Sequence, residues 1–530
     1  MHIVVAETIA DAGLDYLGEH ATVEVAVGLS PDELLPRLAV ADALVVRSAT
    51  RVGAGLLAAA PNLKVIGRAG IGMDNIDLTA TAAAGVMVVN APEAAAISAA
   101  EHTLALRLSQ ARRIPEADRA LRAGSWERER FRGVELYGKT LGVVGLGRIG
   151  TLVAQRGAAF GMRVISYDPY VGADRARRIG VVPMERLADL MAEADFVTVH
   201  LPLTRETEGL IGVEALAQAK PGVRIVNTAR GGVVDEEALA AAIRAGRVAG
   251  AALDVFATEP MTESPLFELA EVVVTPHLGA STVEAQDKAG MAVAEAVIEA
   301  LRGALVPSAV NIDVGPEVPA GLLQFLPLAE DLGCLFVALS QRLPQRLTVR
   351  VEGDLADLPV RPVALAALTG MLAAVSDAPV SFANAPALAK ARGVTVIEES
   401  APDSPVYPSG IRLTGDCGDG PVSVAGTVSD RRGPVLIEAF EHMIELPLSR
   451  YVAVVLNDDI PGVIGSVGTY LGDLGVNIAD MVVGRPTAGE DSSMMGLSLD
   501  RSLTQSEVEG MLAMDTCRSA FFVELGGRRR

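Results

Sequence analysis

Residues 140–150, TLGVVGLGRIG, decide the fold of this chain. An apolar run at residues 141–144 precedes Gly145, Gly147 and Gly150, and a helical pattern follows. The stretch predicts a β-strand, a tight turn and the N-terminus of a helix. Gly145 permits the turn, Gly147 lets the backbone approach a phosphate, and Gly150 lets the helix pack on the strand. The free N–H groups and dipole at the helix N-terminus favour a pyrophosphate there.

A second apolar run, residues 163–167, ends at Asp168, about twenty residues after the glycines, where dinucleotide folds place an acid that accepts hydrogen bonds from the adenosine ribose. A glycine-rich turn without a ligand is the alternative interpretation. The combination of loop and acid favours a dinucleotide site.

The length and charge of the chain bound its class. At 530 residues the chain is too long for one hydrophobic core, so about three or four domains are expected. A formal net charge of −21 argues against nucleic acid or an anionic membrane as a partner, because both require a cationic surface. Any anionic ligand must be met by local arginine residues.

Cysteine usage and the N-terminal sequence indicate a soluble, cytoplasmic protein. Cys334, Cys417 and Cys517 lack the spacing of metal ligands or of a redox pair, so no metal site is predicted. A strand pattern begins at Ile3, which leaves no room for a signal peptide. Charges interrupt the apolar residues 238–256, and no stretch is expected to span a bilayer.

Strand and helix patterns alternate over the first part of the chain, which predicts parallel sheets with helices on both faces. Six strands are expected within residues 98–282, enough for a full doubly wound Rossmann domain. A helical run from Ser281 to Leu301 then returns the chain to its first region. We therefore expect the nucleotide domain (98–282) to be inserted into a discontinuous, flavodoxin-like substrate domain (1–97 and 283–317), with a cleft between them.

Two further domains are predicted after a Gly-Pro boundary at residues 315–319. Residues 318–447 form a mixed α/β region without an evident catalytic constellation. Residues 448–530 follow the order strand, helix, strand, strand, helix, strand, which predicts a ferredoxin-like split-βαβ sandwich.

Three candidate catalytic residues follow predicted strands: Arg230 in NTARGGVVDEEAL, Glu259 in LDVFATEP and His277 in VVVTPHLGAST. Ligands of open α/β sheets bind beyond the carboxyl ends of the strands, so these residues are expected to converge. Neutral His277 suits removal of a hydroxyl proton, Glu259 suits fixing its tautomer, and Arg230 suits holding a carboxylate. The set predicts hydride transfer from a hydroxy acid to the dinucleotide.

Each of these residues also has a structural interpretation. Arg230 can pair with Asp235, a glutamate can close a turn, and a histidine can cap a helix. Two other histidines compete for the base role. We assign His102 to structure and His200 to packing beside the cofactor.

Two loops of the first domain end neighbouring strands at the same sheet edge. VVRS ends at Arg47 and Ser48, and GRAGIG covers residues 67–72 with Arg68 and Gly70. The exposed N–H groups of the second loop suit a carboxylate, and Arg47 suits a more distant anion such as a phosphate. Ordinary strand-end turns are the alternative.

The motifs GLGRIG, YDP, NTARGGVVDE, ALDVFATEP and PHLGASTVEAQ resemble the NAD-dependent D-isomer 2-hydroxyacid dehydrogenases, and the likeness covers residues 1 to 315. The resemblance implies NAD as cofactor and Arg230, Glu259 and His277 as the catalytic set. It implies that cofactor contacts come from Gly145, Gly147, Arg148, Ile149, Gly150, Asp168, Pro202, Thr207, Ala229, Asp254 and Gly279.

VRSAT, GRAGIGMDNID and the two added domains resemble the members of this family that act on 3-phosphoglycerate in serine synthesis. The substrate would face Arg47, Ser48, Arg68 and Gly70. The sequence departs from the family pattern near Ala95, where many relatives carry Asn. The alternative is another D-2-hydroxyacid dehydrogenase, one that interconverts glycerate and hydroxypyruvate or that reduces 2-oxoglutarate.

The last domain resembles an ACT domain, a small-molecule regulatory module. Asn457, Asp459 and Asn477 match positions that would bind serine as an effector; a plain helix start and loop turn are the alternative. An amino-acid sensor with an inactive dehydrogenase core is a third interpretation, which the intact catalytic set disfavours. The resemblance also implies a homodimer or homotetramer.

Cofactor choice provides a first test. The carboxylate of Asp168 repels the 2′-phosphate of NADP, so we expect turnover with NAD to exceed turnover with NADP. Initial rates with the two cofactors measure this preference. Equal rates would show that Asp168 does not face the ribose, or that Arg175, Arg177 and Arg178 offset its charge.

Overall fold

The computed structural model describes residues 1–314, 318–376, 379–404, 407–418, 420–485 and 492–526. Within these residues the chain forms four β-sheets that follow one another in sequence. The predicted boundary at 315–319 lies partly outside them. The α/β fold class is confirmed, whereas the exact domain limits stay a prediction.

The first sheet is parallel, with strand order β2-β1-β3-β4-β5, as in flavodoxin-like folds. Its core strands are buried on both faces, as apolar parallel strands require. The edge strand β2 was not predicted, because its sequence TVEV is short and partly exposed. The elements are β1 (His2–Val5), α1 (Asp11–His20), β2 (Thr22–Val25), α2 (Pro31–Leu38), β3 (Ala43–Val46), α3 (Ala54–Ala58), β4 (Val65–Arg68), α4 (Leu78–Ala83) and β5 (Met87–Asn90).

The second sheet is parallel and contains seven strands in the order β12-β11-β10-β9-β6-β7-β8. This is the doubly wound dinucleotide order extended by one strand. The two-residue strand β8 was too short to predict. The elements are α5 (Ala96–Arg112), α6 (Ile114–Arg122), a 3₁₀ turn (Arg128–Phe131), β6 (Thr140–Val144), α7 (Arg148–Ala159), β7 (Arg163–Tyr167), α8 (Ala173–Arg178), β8 (Val182–Pro183), α9 (Leu187–Glu193), β9 (Phe196–Val199), α10 (Val213–Gln218), β10 (Val223–Asn227), α11 (Glu236–Arg244), β11 (Val248–Leu253) and β12 (Val272–Val274).

The long helix α12 (Val283–Leu301) leads the chain back to the first sheet. It packs on α1, β4 and β5, and its Val293 and Val297 are fully buried there. The second sheet is therefore held between two segments that share one core.

The third sheet is mixed, in the order β14-β13-β15-β16-β17-β18, with only the β13–β14 pair parallel. Helices α14 and α15 pack together on this region. The elements are α13 (Ala320–Leu323), α14 (Leu326–Ser340), β13 (Arg346–Gly353), α15 (Arg361–Ala373), α16 (Ala385–Ala391), β14 (Thr395–Ala401), β15 (Ser409–Asp416), β16 (Pro421–Ser429), β17 (Gly433–Ala439) and β18 (His442–Pro447).

One helical segment is long and apolar enough to cross a membrane by length and composition, although no stretch is expected to span a bilayer. This segment covers residues 320–340 and has a mean hydropathy of 1.7. Two thirds of this segment is buried inside the protein, as in the core helix of a globular domain. Its apolar surface packs on α15 and the third sheet.

The fourth sheet is antiparallel, in the order β20-β21-β19-β22, and confirms the predicted split-βαβ arrangement. The elements are β19 (Tyr451–Asp458), α17 (Val463–Asp473), β20 (Ile478–Gly484), β21 (Ser492–Leu499), α18 (Gln505–Leu512) and β22 (Cys517–Glu524).

Arg107 on α5 is an unexpected member of the core. Its side chain is fully buried beside Gly157 of α7, and its three guanidinium nitrogens have no hydrogen-bond partner among the described residues. Burial lowers the pKa of Arg107 to about 10, so the group remains charged at neutral pH. A buried charge without a partner is strongly destabilising.

We therefore expect Arg107→Met, which keeps the length and removes the charge, to stabilise the protein by about 1–4 kcal/mol. Differential scanning calorimetry would show a higher melting temperature. Arg431→Met, in the exposed turn between β16 and β17, is the matched control and should leave the melting temperature unchanged. A lower melting temperature for Arg107→Met would contradict this account of the core.

Candidate active site

The glycine loop lies between β6 and α7 at the carboxyl edge of the second sheet. Gly145 has a φ of +94°, in the left-handed region that favours glycine. A Cβ atom on Gly150 would overlap the Gly145 carbonyl oxygen. The residue before α7 is Gly147, which has no side chain to cap the helix, so the first N–H groups are available to an anion. The loop therefore fits the pyrophosphate of a dinucleotide.

Asp168 follows β7, the neighbour of β6. Its Oδ2 accepts the Leu146 N–H at 2.8 Å, and its Oδ1 accepts the N–H groups of Tyr170 (2.9 Å) and Val171 (3.2 Å). These bonds fix a negative group beside the glycine loop. Of the three nearby arginines on α8, Arg177 pairs with Asp174 of its own helix.

The other predicted cofactor residues follow successive strands at the same edge. After β9, the Pro202 carbonyl accepts the Thr207 hydroxyl at 2.6 Å, which closes that loop. After β10, the Ala229 N–H donates to Asn227 Oδ1 at 3.0 Å. After β11, the buried carboxylate of Asp254 accepts the N–H of Gly279 at 2.8 Å. Arg148 and Ile149 belong to the first turn of α7, where Arg148 lies 3.7 Å from Glu93.

His277 and Glu259 form a hydrogen-bonded pair. His277 Nδ1 lies 2.6 Å from Glu259 Oε2. This bond raises the pKa of His277 above its ordinary value, against the opposing effect of burial. Burial acts to raise the pKa of Glu259, but the bonds from His277 and the Phe256 N–H bring it below the ordinary value. The pair is therefore a carboxylate that stabilises an imidazolium, with Nε2 left for another partner.

The backbone also fixes the position of His277. Its φ is +56°, an uncommon value for a residue with a side chain. Its N–H donates to the Asp254 carbonyl at 2.8 Å, and Asp254 also accepts the N–H of Leu278 at 2.7 Å. The loop after β12 is thereby tied to the end of β11, which holds the imidazole in the cleft.

Arg230 does not pair with Asp235, the structural alternative. Asp235 caps α11 by accepting the Ala238 N–H at 3.0 Å. Arg230 Nε instead donates to Asp74 Oδ2 at 3.1 Å, and its Nη1 donates to the Ala229 carbonyl at 2.7 Å. Asp74 belongs to the loop after β4, so the pair joins the two sheets.

A cleft of about 580 Å³ between the first and second sheets brings the predicted catalytic and substrate residues together. The residues that line it include Arg47, Ser48, Arg68, Gly70, Ala95, Ile149, Arg230, Asp254, Glu259, His277 and Gly279. Ala95 supplies no polar side chain there. The remaining predicted cofactor residues lie outside this lining, along the glycine loop and the neighbouring strand ends.

Sequence reasoning missed three residues of this cleft region: Glu7, Arg51 and Asp74. Glu7 accepts the N–H groups of Arg47 at 2.9 Å and Thr50 at 2.9 Å. These bonds hold the loop after β3, which carries Arg47. Arg51 and Asp74 line the cleft. The available signal for these two was their position: Arg51 directly follows the quoted VRSAT motif, and Asp74 lies within the quoted GRAGIGMDNID motif.

The substrate side of the cleft is rich in guanidinium groups. Arg47, Arg51, Arg68 and Arg230 all line it. Burial lowers the pKa of Arg68, and the neighbouring Arg230 adds to that effect, but the group stays cationic at neutral pH. Arg68 Nε is buried without a hydrogen-bond partner among the described residues. This arrangement suits an anion with more than one negative group.

The competing histidines occupy other places. His102 Nε2 lies 3.1 Å from Asp254 Oδ1 and 3.0 Å from Thr275 Oγ1. These contacts help to fix the position of the Asp254 carboxylate. Burial lowers the pKa of His200 to about 3, and its Nε2 lies 3.0 Å from Thr198 Oγ1. Neither histidine combines the carboxylate partner and the exposed second nitrogen expected of the base.

The predicted effector residues are not brought together within one chain. Asn457 is buried and donates to Ser493 Oγ at 2.7 Å, and Asp459 pairs with Arg485 at 2.7 Å. Asn477 precedes β20 at the other end of the sheet, where Ile478 is paired with Leu499. Asn457 is paired with Ser493 near the start of β21. The effector role of the three residues stays a prediction.

No group of three or more His, Cys, Asp or Glu side chains within the described ranges has an arrangement that could hold a metal ion. The groups suited to hydride transfer are the dinucleotide loop and the His277–Glu259 pair. Together with the Rossmann sheet they define the protein as an NAD-dependent oxidoreductase.

Comparisons with known proteins identify the family. Residues 104–279 match the D-isomer specific 2-hydroxyacid dehydrogenase, NAD binding domain, and residues 321–440 match the D-3-phosphoglycerate dehydrogenase intervening domain. A D-3-phosphoglycerate dehydrogenase of Mycobacterium leprae is 49% identical over 94% of this chain and 95% of its own. One from Methanocaldococcus jannaschii is 41% identical over 99% of each. The chain belongs to the D-3-phosphoglycerate dehydrogenase family.

Solved structures resemble part of this chain. A Thermus thermophilus protein is 38% identical with a TM-score of 0.55, and it covers 58% of this chain and 100% of its own. A D-lactate dehydrogenase from Aquifex aeolicus, complexed with NAD and lactic acid, is 28% identical with a TM-score of 0.52 and covers 57% of this chain and 96% of its own.

The raised pKa of His277 generates a prediction for the pH dependence of alcohol oxidation. Only the neutral imidazole can accept the hydroxyl proton, so kcat/KM should fall at low pH as His277 becomes protonated. Because the pKa of His277 is raised, this fall should be centred above pH 6.5, the ordinary pKa of histidine. Glu259→Gln removes the carboxylate that raises this pKa. The acid limb of the pH profile should therefore move to lower pH, with reduced kcat.

His277→Ala is the companion variant. It should abolish turnover while binding of NADH, followed by fluorescence, survives. An unmoved acid limb in Glu259→Gln, or full activity in His277→Ala, would contradict these roles.

Proposed function

We propose that this protein oxidises 3-phosphoglycerate to 3-phosphohydroxypyruvate with NAD⁺, the committed step of serine synthesis. The observation that carries the proposal is the cluster of Arg47, Arg51, Arg68 and Arg230 that lines one cleft. A 2-hydroxy acid with a second anionic group meets more than one guanidinium group there. The names of the relatives, which cover nearly the whole chain, support the same substrate.

The chain supplies acid–base chemistry and orientation. His277 Nε2 accepts the proton of the substrate hydroxyl, and Glu259 stabilises the imidazolium that results. Bound NAD⁺ supplies the acceptor for the hydride that leaves the same carbon. The hydroxyl oxygen thereby becomes a carbonyl, and the proton remains on His277.

The arginines act on the anionic groups of the substrate. Arg230 holds the carboxylate through its planar guanidinium and polarises the adjacent oxygen. Arg47 and Arg68 hold the phosphate, and Glu7 keeps the Arg47 loop in place by accepting its N–H groups. The orientation of the hydroxyl-bearing carbon follows from this two-point attachment.

A D-2-hydroxy acid without a phosphate is the alternative substrate, because Arg230, Glu259 and His277 would act on it in the same way. The arginine cluster disfavours this alternative. A small unphosphorylated acid leaves Arg47, Arg51 and Arg68 without a ligand.

We further propose that the last domain is an ACT domain and that serine is a feedback effector bound through Asn457, Asp459 and Asn477. Because Asn477 lies at the other end of the sheet from Asn457, the three can meet one small ligand only across two chains. The effector proposal therefore requires an oligomer.

The expected homodimer or homotetramer has a candidate surface in α6 and the segment after it. No residue of α6 is buried, and Ile114, Leu121 and Trp126 are exposed. Exposed apolar and aromatic side chains of this kind are typical of subunit contacts.

We propose a cytoplasmic location with neither nucleic acid nor membrane as a partner, on the basis of the acidic composition.

Initial rates with 3-phosphoglycerate and NAD⁺, with and without serine, test this function. We expect turnover, inhibition by serine, and a rise in KM for 3-phosphoglycerate in Arg68→Met with little change in KM for NAD⁺. Loss of one charge-assisted bond of about 1.5–3 kcal/mol corresponds to a rise of roughly tenfold or more.

Arg37→Met on the exposed part of α2 is the matched control for a lost surface charge. Absence of turnover with 3-phosphoglycerate would refute the proposed substrate. Turnover without any effect of serine would refute the effector alone.

A further inference from the structure

Arg230 has an acceptor on each side of the cleft. Its Nε donates to Asp74 Oδ2 at 3.1 Å, and its Nη1 donates to the Ala229 carbonyl at 2.7 Å. Ala229 and Arg230 follow β10 in the second sheet, whereas Asp74 follows β4 in the first. The guanidinium is therefore oriented by groups from both sheets.

The loop that carries Asp74 also limits where the guanidinium can lie. A Cβ atom on Gly72 would overlap Arg230 Nη2 and would lie 2.9 Å from Asp74 Oδ2. The guanidinium consequently rests against the backbone of Gly72. Any larger residue at position 72 would displace the ion pair.

The unused donors of Arg230 can be counted. A guanidinium has five N–H groups, of which Nε carries one and each terminal nitrogen carries two. Asp74 takes the Nε hydrogen and Ala229 takes one hydrogen of Nη1. One hydrogen of Nη1 and both hydrogens of Nη2 remain, so both terminal nitrogens keep a donor for a carboxylate.

The charge of Asp74 lies where two cations approach one another. Arg68 and Arg230 repel, and this repulsion adds to burial in lowering the pKa of Arg68, whereas Asp74 acts in the opposite direction. Two thirds of the Asp74 side chain is exposed, so this carboxylate is in contact with water. Without it, repulsion from Arg68 would favour rotation of Arg230 away from the substrate loop.

We propose that Asp74 is a positioning residue for the reaction: it turns the terminal edge of Arg230 towards the substrate carboxylate and makes this orientation depend on the approach of the two sheets. The inference rests on the proposed 2-hydroxy acid chemistry but not on the phosphate. Asp74 itself does not contact the reacting atoms.

A double-mutant cycle on oxalate binding tests the inference. Oxalate presents the paired oxygens of a 2-oxo acid carboxylate and has no phosphate. Its dissociation constant is measured by calorimetry with NADH-saturated Asp74→Ala, Asp74→Asn, Arg230→Lys and the double variant Asp74→Ala/Arg230→Lys. We expect about tenfold weaker binding in Asp74→Ala, as for coupled residues in contact, and less than about a twofold further effect in the Arg230→Lys background.

Further readouts separate positioning from a general loss of structure. The dissociation constant for NADH should be unchanged in Asp74→Ala, while KM for the hydroxy acid rises. Asp74→Asn, which keeps an acceptor oxygen without the charge, should fall between Asp74→Ala and the wild type. Asp15→Ala, on the exposed face of α1 beside the first sheet, is the charge-matched control and should not alter oxalate binding.

Two results would overturn the inference. One is wild-type oxalate affinity in both Asp74 variants. The other is an equal loss of affinity from Asp74→Ala whether residue 230 is the native arginine or carries the Arg230→Lys substitution. A protein that fails to turn over 3-phosphoglycerate but shows the expected cycle would refute the proposed substrate and leave this inference intact.

Discussion

The carboxyl ends of parallel strands meet at one sheet edge, and the rest of this structure depends on that constraint. The glycine loop, Asp168, Arg230 and Asp254 each follow a strand of the second sheet, so residues more than a hundred positions apart share one site. The first sheet presents Arg47 and Arg68 from its own carboxyl edge, and α12 attaches it so that the two edges face across a cleft. Under the proposed function, substrate choice and hydride transfer are divided between the two sheets.

The lining of the cleft is rich in arginine although the whole protein is acidic. A chain with a net charge of −21 repels small anions at long range, but four guanidinium groups are concentrated in the lining of this cleft. The carboxylates among them have separate tasks. Glu259 supports His277, Glu7 shapes the Arg47 loop, and Asp74 contacts Arg230. The carboxylates thus contact residues of the site, while the guanidinium groups line the cleft.

Much of this organisation could be predicted from the sequence. Glycine spacing and long apolar strands have short-range physical signals, and the motifs predicted Arg230, Glu259 and His277 as the catalytic set, which the structure brings to one cleft. Edge strand β2 gave no signal, because edge position depends on tertiary pairing. Asp74 and the buried Arg107 were missed for a similar reason: the partner of a charge is decided by loops from distant segments. The separation of Asn477 from Asn457 likewise depends on strand register, which the motifs do not contain.

The central claim is that this cleft selects a phosphorylated 2-hydroxy or 2-oxo acid through its first sheet. The most direct measurement is the ratio of kcat/KM for NADH oxidation with 3-phosphohydroxypyruvate and with hydroxypyruvate, at equal pH and ionic strength. Contacts of the phosphate with Arg47 and Arg68 predict a preference of at least about 100-fold, from two charge-assisted bonds. Equal values, or a preference for hydroxypyruvate, would contradict the account.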